Sequence, residues 1–551
     1  MNDQLSPYAQ KPWLRHYDYW VPAETTIPEQ SIYQVLAAAN VHYGHHRATA
    51  FLGGHLTFAE IKQQADKLAT SLLKLGVKPG DCVGIMLPNC PQYVISFFAI
   101  VRLGAIAVNI NPTYTAREVG LVANDSGLRV LITLNALAPI ALGVKAETKI
   151  ETIIATDALA FAAQRPKVLA MTEGTLSFSE MIEGVAEPQL PPLNLNAGDE
   201  VAALVYTGGT TGVPKGAMIT HRNMWASTVM CRVWNREFTR AGEESFLLVI
   251  PYFHIYGLIV GLVYSTYVGA VQIQIPKYDA NMLLAAINEY EPTYFPAVPT
   301  LFISLLNHPD APSSKLGKIR RLNSGSAPLP VEVMERFEAM SGASVYEGWG
   351  MTETTAIGSG TPTFARRKLA SIGFPFPNTE MKIVDLESGT RELPVGEEGE
   401  LCIRGPQIMK GYWNKPEATA EVLKDGWLYT GDVARMDEDG TFYIVQRKKD
   451  MLLVSGFNVY PNEIEDVLFT HPAIKECAVI GVPDEYRGEA VKAFVVCKEN
   501  ATTTKEDIIE FCKDQLAKYK LPTHIEFLTA LPKSAVGKVL RRELREKESE
   551  K

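Results

Sequence analysis

Apolar and polar positions along this chain fall into two rhythms, one helical and one extended, and they alternate. Thr57-Phe-Ala-Glu60 has the form of a capping box, the threonine side chain bonding forward and the glutamate reaching back. Behind it Ile61, Ala65, Leu68, Leu72 and Leu75 share one helical face. Lys78-Pro-Gly-Asp81 then turns the chain into a short apolar strand over Cys82–Leu87, followed by a helix over Pro91–Leu103 and a strand over Ala105–Ile110. Strand, helix, strand in that order implies a parallel sheet covered by helices. Leu128–Leu134 and Glu151–Thr156 continue the pattern, a proline-containing linker runs from Pro188 to Gly198, and Val201-Ala-Ala-Leu-Val205 is a further apolar run.

From Ser245 to Pro276 no Asp, Glu, Lys or Arg occurs, a stretch long enough to reach across a bilayer. Pro251, His254, Gly257, Gly261, Gly269 and Gln272 interrupt it. It therefore parses as a buried strand over Phe246–Ile250, a loop, a helix from about Leu258 to Tyr267 and a second strand over Ala270–Ile275. The texture changes after about residue 440. Met451–Val454, Ala478–Val482 and Val491–Val496 read as strands and Pro461–Phe469 and Lys505–Lys518 as helices, enough for a small domain with its own core. The expected fold is α/β: a large multi-sheet N-terminal α/β body over residues 1–446 and a small mobile α+β C-terminal domain over residues 447–551.

Composition narrows the class. At 551 residues the chain is too long for one core. Hydrophobic content of 46% with 21% charged residues is that of an ordinary globular protein. A formal net charge of −9 offers no global attraction to nucleic acid, so no nucleic-acid partner is expected. The seven cysteines are scattered, with no C-x-x-C pair, which fits buried thiols in a reducing compartment. The N-terminus lacks a basic region followed by an apolar one, so the expected location is cytoplasmic.

The most legible chemistry lies in Tyr206-Thr207-Gly208-Gly209-Thr210-Thr211-Gly212-Val213-Pro214-Lys215-Gly216. Glycines let backbone N–H groups approach an anion, the threonine hydroxyls can donate to its oxygens, and Lys215 supplies a point charge. A flexible surface turn would explain the glycines but not the paired threonines or a lysine held behind Pro214. No Gly-Lys-Ser/Thr stands at the spacing of a Walker A loop. The run resembles the phosphate loop of the adenylate-forming superfamily, which includes acyl-CoA synthetases, peptide-synthetase adenylation domains and luciferases. Among these it is most similar to bacterial medium- and long-chain fatty acyl-CoA synthetases, and the likeness runs from about residue 30 to 545.

Further segments carry the resemblance. Tyr252-Phe-His254-Ile-Tyr256-Gly257 holds a lone histidine, by itself more often a satisfied core residue than a functional one. In acyl-CoA synthetases the matching segment lies beside the substrate carboxylate, and amino-acid-activating relatives tend to carry an aspartate that this chain lacks. The resemblance thus implies a plain carboxylic acid, with Tyr252, His254, Tyr256, Gly257, Leu258 and Gly350 at the acyl site. Gly257 and Gly261 are expected to leave room for an alkyl chain. Ser324-Gly325-Ser326-Ala327 resembles the segment along adenine and the acyl pocket. In Glu347-Gly348-Trp349-Gly350-Met-Thr352-Glu353 the glycines let a flat ring lie against a base, while Thr352 and Glu353 can face phosphate and a hard cation. The family puts Trp349 on adenine, Thr352 at the α-phosphate, and Glu353 with Thr207 on Mg²⁺.

By the same resemblance Asp432 in Tyr429-Thr-Gly-Asp432 anchors the ribose with help from Arg447. Lys449, two residues past that arginine, is the hinge, and Gly456 leaves a side-chain-free surface for pantetheine. Lys533-Ser-Ala-Val-Gly537-Lys538 matches the loop that delivers the superfamily's catalytic lysine. Lys538 would bridge the substrate carboxylate and the α-phosphate, with Lys215 and His254 as the other catalytic candidates.

The resemblance implies a two-step ligation using ATP, Mg²⁺ and coenzyme A. A carboxylate attacks the α-phosphate to give acyl-adenylate and pyrophosphate, and the CoA thiolate then displaces AMP. A medium- or long-chain fatty acid is the expected substrate. An aryl acid of the coumarate type, transfer to a carrier protein in place of CoA, and a catalytically silent binding module stay open. So do a monomer or homodimer and a peripheral contact with membranes.

Overall fold

The structure, a computed structural model, describes residues 6–549 except 165–169, 208–213, 366, 455–456, 485–487, 500, 514 and 536. Two large sheets dominate its first part. One has seven strands, in the order Leu176–Ser177, Thr152–Thr156, Val130–Leu134, Cys82–Met86, Ile106–Asn109, Val201–Thr207 and Lys215–Thr220. All neighbours are parallel except the last pair, a hairpin in which Thr207 faces Lys215. The other has nine strands, and six consecutive ones, from Val345–Trp349 through Arg321–Ser324, Tyr294–Ala297, Ser245–Leu248 and Val271–Gln274 to Arg47–Phe51, run parallel.

Between the sheets lies the helix Pro91–Arg102, in which every residue from Pro91 to Val101 is buried. A helix that is covered on all sides must be apolar all round, and Tyr93-Val-Ile-Ser-Phe-Phe-Ala-Ile-Val101 meets that demand. Its few polar groups are satisfied inside: the Ser96 hydroxyl donates to the Gln92 carbonyl at 2.7 Å and the Tyr93 hydroxyl to Asn109 Oδ1 at 2.8 Å. The capping box at Thr57 is formed, and two more open helices at Thr115 and Thr220.

The uncharged stretch folds as strand, loop, helix and strand, but its helix is not the regular one expected. Gly257–Tyr264 is a π-helix that continues into the α-helical turn Ser265–Tyr267. Its first residue is packed closely: a Cβ on Gly257 would lie 2.1 Å from the Pro251 carbonyl oxygen. Wound wide, the helix leans on the preceding loop, and widened turns of this kind cluster at functional sites. Among the described residues no helix is long and apolar enough to cross a membrane.

A third, antiparallel sheet contains Glu380–Val384, Gly399–Arg404, Leu423–Lys424, Trp427–Met436 and Phe442–Arg447. Arg447 closes its last strand opposite Asp432. The fourth sheet belongs to the C-terminal part. Its long hairpin, Ile474–Asp484 with Gly488–Cys497, is flanked by Leu452–Val454 with Phe457–Val459 and by His524–Phe527. The helices Pro461–Phe469, Lys505–Lys513 and Arg541–Ser549 complete it, the middle one ending short of Lys518. Leu452, Ile464, Leu468, Val479, Val491 and Ile525 form a core cluster distinct from those of the larger part.

Candidate active site

The carboxyl ends of the parallel strands open onto one cavity of about 1450 Å³, where Asn109, Thr207, Ser324, Gly325 and Trp349 contribute to the wall. Open α/β sheets collect ligands at this edge, because strand ends expose loops and backbone groups there. The C-terminal domain supplies part of the opposite wall, including Lys449 and Lys538.

At one end of the cavity stands the hairpin of Thr207 and Lys215, which lies at the base of the glycine-rich segment. Gly208, Gly209, Thr210, Thr211 and Gly212 are outside the described residues, as is Gly456. The Thr207 hydroxyl donates to the Lys215 carbonyl at 3.4 Å. The Lys215 ammonium sits 5.2 Å from the centre of the Tyr412 ring, and the hydroxyl of that ring donates to Glu353 Oε1 at 2.6 Å. Glu353 is 6% exposed and its second oxygen carries no described hydrogen bond. A half-satisfied, buried carboxylate that shares Tyr412 with Lys215 suits a hard cation held mainly by a ligand's oxygens and water. Among the described residues no cluster of three or more His, Cys, Asp or Glu could hold a metal unaided.

Thr352 opens the 3-10 turn Thr352–Thr354, which Met351 separates from Trp349 and Gly350. A Cβ on Gly350 would fall 2.0 Å from the Ala356 carbonyl oxygen. The chain there doubles back through Thr355 and Ala356, both at positive φ, and glycine is what the close approach requires. The Trp349 ring edge packs on Gly358, where a Cβ would come within 2.4 Å of the ring, and its Nε1 donates to Asp432 Oδ2 at 2.9 Å. Arg447 Nε lies 2.6 Å from Asp432 Oδ1. That contact is an ion pair outside hydrogen-bond angles, so Oδ1 is left without a directional donor. Asp432 stands behind Arg447 and Trp349 at 2% exposure, with its neighbours Thr430 and Gly431 in the wall.

Farther along, Glu347 lies on the strand Val345–Trp349, and burial raises its carboxyl to about 7, with the Leu329 N–H at 3.3 Å opposing the rise. Gly348 and Gly350 line the same wall. Gly325 packs on Tyr256, where a Cβ would touch the ring at 3.3 Å, and Ser326 holds a left-handed conformation rare for a serine. His254 faces the cavity. Its Nδ1 accepts from the Tyr256 N–H at 3.3 Å, so the proton of the neutral ring belongs on Nε2. Burial first, and the charge of Lys538 second, hold this histidine down to about 4.

Lys538 arrives on a tight loop in which the Ser534 N–H donates to the Lys538 carbonyl at 2.8 Å and the Lys538 N–H to the Ser534 hydroxyl at 3.2 Å. Gly537, at φ 75°, presses on Thr300 of the large body, where a Cβ would lie 2.3 Å from Oγ1. The Lys538 side chain keeps open surface where it lines the cavity. Burial, followed by the Arg447 charge, pulls its ammonium down to about 8. Lys449 is lowered too, chiefly by burial. The helix after the loop is tied to its own domain by Arg541 on Glu465 at 2.6 Å and Arg545 on Asp450 at 2.8 Å.

Five expected site residues are not in the wall: Asp432, which stands behind Arg447 and Trp349, and four others. Tyr252 is fully buried, its hydroxyl donating to Gln272 Oε1 at 2.8 Å. Gly257 is packed on Pro251, Leu258 is buried in the core, and Ala327 lies past the lining part of its loop. Gly261 likewise meets Leu248, 3.3 Å from where a Cβ would stand, so these glycines serve close packing and not an open channel. Among the wall residues that the sequence motifs do not single out, Tyr412 and Arg321 bear on the chemistry. Tyr412 carried a faint signal in Lys410-Gly-Tyr-Trp413, and Arg321 one in the period-two strand Arg321–Ser324, which turns it away from Arg320.

The chain matches the family model described as AMP-binding enzyme over residues 36–413 and the AMP-binding enzyme C-terminal domain over residues 463–538. It is 42% identical to a long-chain-fatty-acid–CoA ligase of Bacillus subtilis (strain 168), across 98% of this chain and 99% of that one. It is 36% identical to 4-coumarate–CoA ligase 1 of Solanum tuberosum, across 89% and 88%. The crystal structure of the anthranilate CoA ligase AuaEII in complex with anthranoyl-AMP superposes with a TM-score of 0.86 at 29% identity, covering 96% of this chain and 99% of that one.

Proposed function

The chain belongs to the AMP-binding enzyme family, and from that premise we propose that it is an AMP-forming acyl-CoA synthetase acting on a medium- or long-chain fatty acid. ATP and the acid give acyl-adenylate and pyrophosphate, and the thiol of CoA then takes the acyl group and releases AMP. The observation that carries this reading is the meeting of Lys538, from the small domain, with His254, Trp349 and Lys215 around a single cavity.

In the first step Lys538 would lie between the acid's carboxylate and the α-phosphate, holding two anions in attack geometry and stabilising the added negative charge of the transition state. His254, neutral with its proton on Nε2, would donate to the carboxylate without adding a charge that competes with Lys538. Lys215 and Thr207 would steady the departing pyrophosphate together with Gly208, Gly209, Thr210, Thr211 and Gly212. Mg²⁺ brought in with ATP would rest on Glu353, near Thr207. Thr352 would face the α-phosphate, and Trp349 with Gly325, Ser326 and Ala327 would border the adenine. Asp432 would accept the ribose hydroxyls at the oxygen that lacks a directional donor, with Arg447 alongside.

For the second step the small domain, residues 447–551, would turn about Lys449, withdraw Lys538 and bring the Gly456 face to the cavity for pantetheine. Arg447 is the last residue of the strand Phe442–Arg447, paired there with Asp432, so in this reading the turning part would begin just after it. We expect the enzyme to act in the cytoplasm as a monomer or homodimer, touching membranes peripherally where its acid partitions.

The test is ATP–pyrophosphate exchange across a panel of acids, followed by thioester formation with free CoA. Fatty acids should support exchange, with kcat/KM rising steeply with length, since each buried methylene contributes roughly 0.8 kcal/mol. A flat response from short to long acids would sink the fatty-acid reading. Exchange with hydroxycinnamates alone would favour the aryl reading, which the likeness to a coumarate ligase supports. Exchange without thioester formation would point to a carrier-protein acceptor.

A further inference from the structure

The wall of the cavity contains a cation that the ligation chemistry does not use. Arg321, first residue of the strand Arg321–Ser324, is 1% exposed and lines the cavity. Its guanidinium carbon lies 3.7 Å from the centre of the Tyr346 ring and 5.0 Å from that of Phe238. Its Nε donates to Asn323 Oδ1 at 2.9 Å and the Tyr294 hydroxyl also interacts with the guanidinium, whereas Nη1 is buried without a hydrogen-bond partner. Among the described residues no carboxylate pairs with it. Glu244 is taken by Arg320, at 2.6 and 2.7 Å.

Burying a cation without a counter-charge is costly, and aromatic faces offset only part of that cost. An alkyl chain laid against Arg321 would leave the open N–H sealed and unpaired. Position makes the residue relevant to substrate. Gly325 touches Tyr256, and Tyr256 and Cys231, both in the wall, feel the Arg321 charge. Along the strand, Arg321 lies three residues before Ser324, roughly 10 Å deeper than the loop beside the reacting end.

We infer that the acyl branch of the cavity ends on the Arg321 guanidinium and accepts acids whose chain carries an oxygen acceptor at its far end, a second carboxylate being the strongest match. This rests on reading the cavity as an acyl site. A carboxylate there would complete a charge-assisted hydrogen bond with Nη1, which a methyl terminus cannot do.

The experiment measures kcat/KM for adenylate formation, by pyrophosphate exchange, with three matched series of increasing length: plain monocarboxylic, ω-hydroxy and α,ω-dicarboxylic acids. At one chain length the dicarboxylic acid should exceed the plain acid of equal carbon number by about tenfold, with the ω-hydroxy acid between, because a built polar site rejects a partner that leaves it unpaired. Arg321→Met should reverse that order, and Arg321→Lys should retain part of the preference. Preference for the plain acid at every length in the unaltered enzyme, or an unchanged ratio in Arg321→Met, overturns the inference and leaves the fatty-acid reading standing. Exchange with none of the three series overturns both. The comparison within the unaltered enzyme decides the matter even if Arg321→Met fails to fold.

Discussion

The two walls of the cavity are built on opposite principles. On the large body, side chains that face the nucleotide end are held by other side chains: Asp432 by Trp349 and Arg447, Glu353 by Tyr412. Close backbone contacts such as Gly350 on Ala356 fix the loops that carry them. On the small domain Lys538 is presented by a loop closed on itself through Ser534, and it meets the large body at Gly537 on Thr300. The first wall is preorganised, which electrostatic stabilisation of a transition state demands. Under the proposed function the second would leave without breaking the first, as a catalyst needed for only one of two reactions should.

Substitutions on the two walls should therefore differ in which half-reaction they damage. The largest separation is expected from Lys538→Ala, with acyl-AMP formation falling about a thousandfold while CoA transfer from supplied acyl-AMP is nearly unchanged, both read by rapid quench. Equal losses in the two halves would break the comparison. Next comes Asp432→Asn, which keeps an acceptor for Trp349 but loses the charge under the ribose. Because ATP and acyl-AMP share that ribose, both half-reactions should fall, by about a hundredfold if removing the charge costs roughly 2.7 kcal/mol. Damage confined to adenylation would place Asp432 with the movable wall.

A smaller effect is expected where the walls touch. Gly537→Ala puts a Cβ at φ 75° and 2.3 Å from Thr300 Oγ1. Weakening the docked arrangement by about 1–2 kcal/mol would slow adenylation about tenfold and spare transfer. Adding Thr300→Ala should restore part of the rate, the clash being relieved and the backbone strain not. No rescue would mean that Gly537 acts within its own loop alone. The smallest effect is one of pH. Only the ammonium form of Lys538 opposes the developing charge, and its site holds it at about 8. As pH rises through that value the proton is lost, so kcat/KM for ATP in the free enzyme should be about halved there and decline further above it. His254, held near 4, should add no limb near neutrality. A profile flat to high pH would argue against Lys538 as the titrating group.

Much of this was legible in the residue pattern, for identifiable reasons. The capping box at Thr57, the apolar strand beginning at Cys82 and the buried helix from Pro91 are local, set by a few adjacent side chains. The Glu347–Glu353 run was readable because glycine, tryptophan and acid stand side by side in sequence as they do in space. The misreadings came where neighbours in space are far apart along the chain. Gly257 reads as room for substrate in the sequence, but the Pro251 carbonyl fills that space, and Tyr252 spends its hydroxyl on Gln272.

Sequence alone determined the class of chemistry, because the reacting groups sit in short contiguous segments whose residue types are tied to phosphate, cation and carboxylate. Only the tertiary structure decided which of those groups share a cavity and what else faces it. Tyr412 beside Glu353, Thr300 beneath Gly537 and the open Nη1 of Arg321 are products of packing between segments distant along the chain, of which each segment alone carries at most a faint sign. Burial of a charge is a property of the whole surroundings, and no stretch of chain carries it by itself.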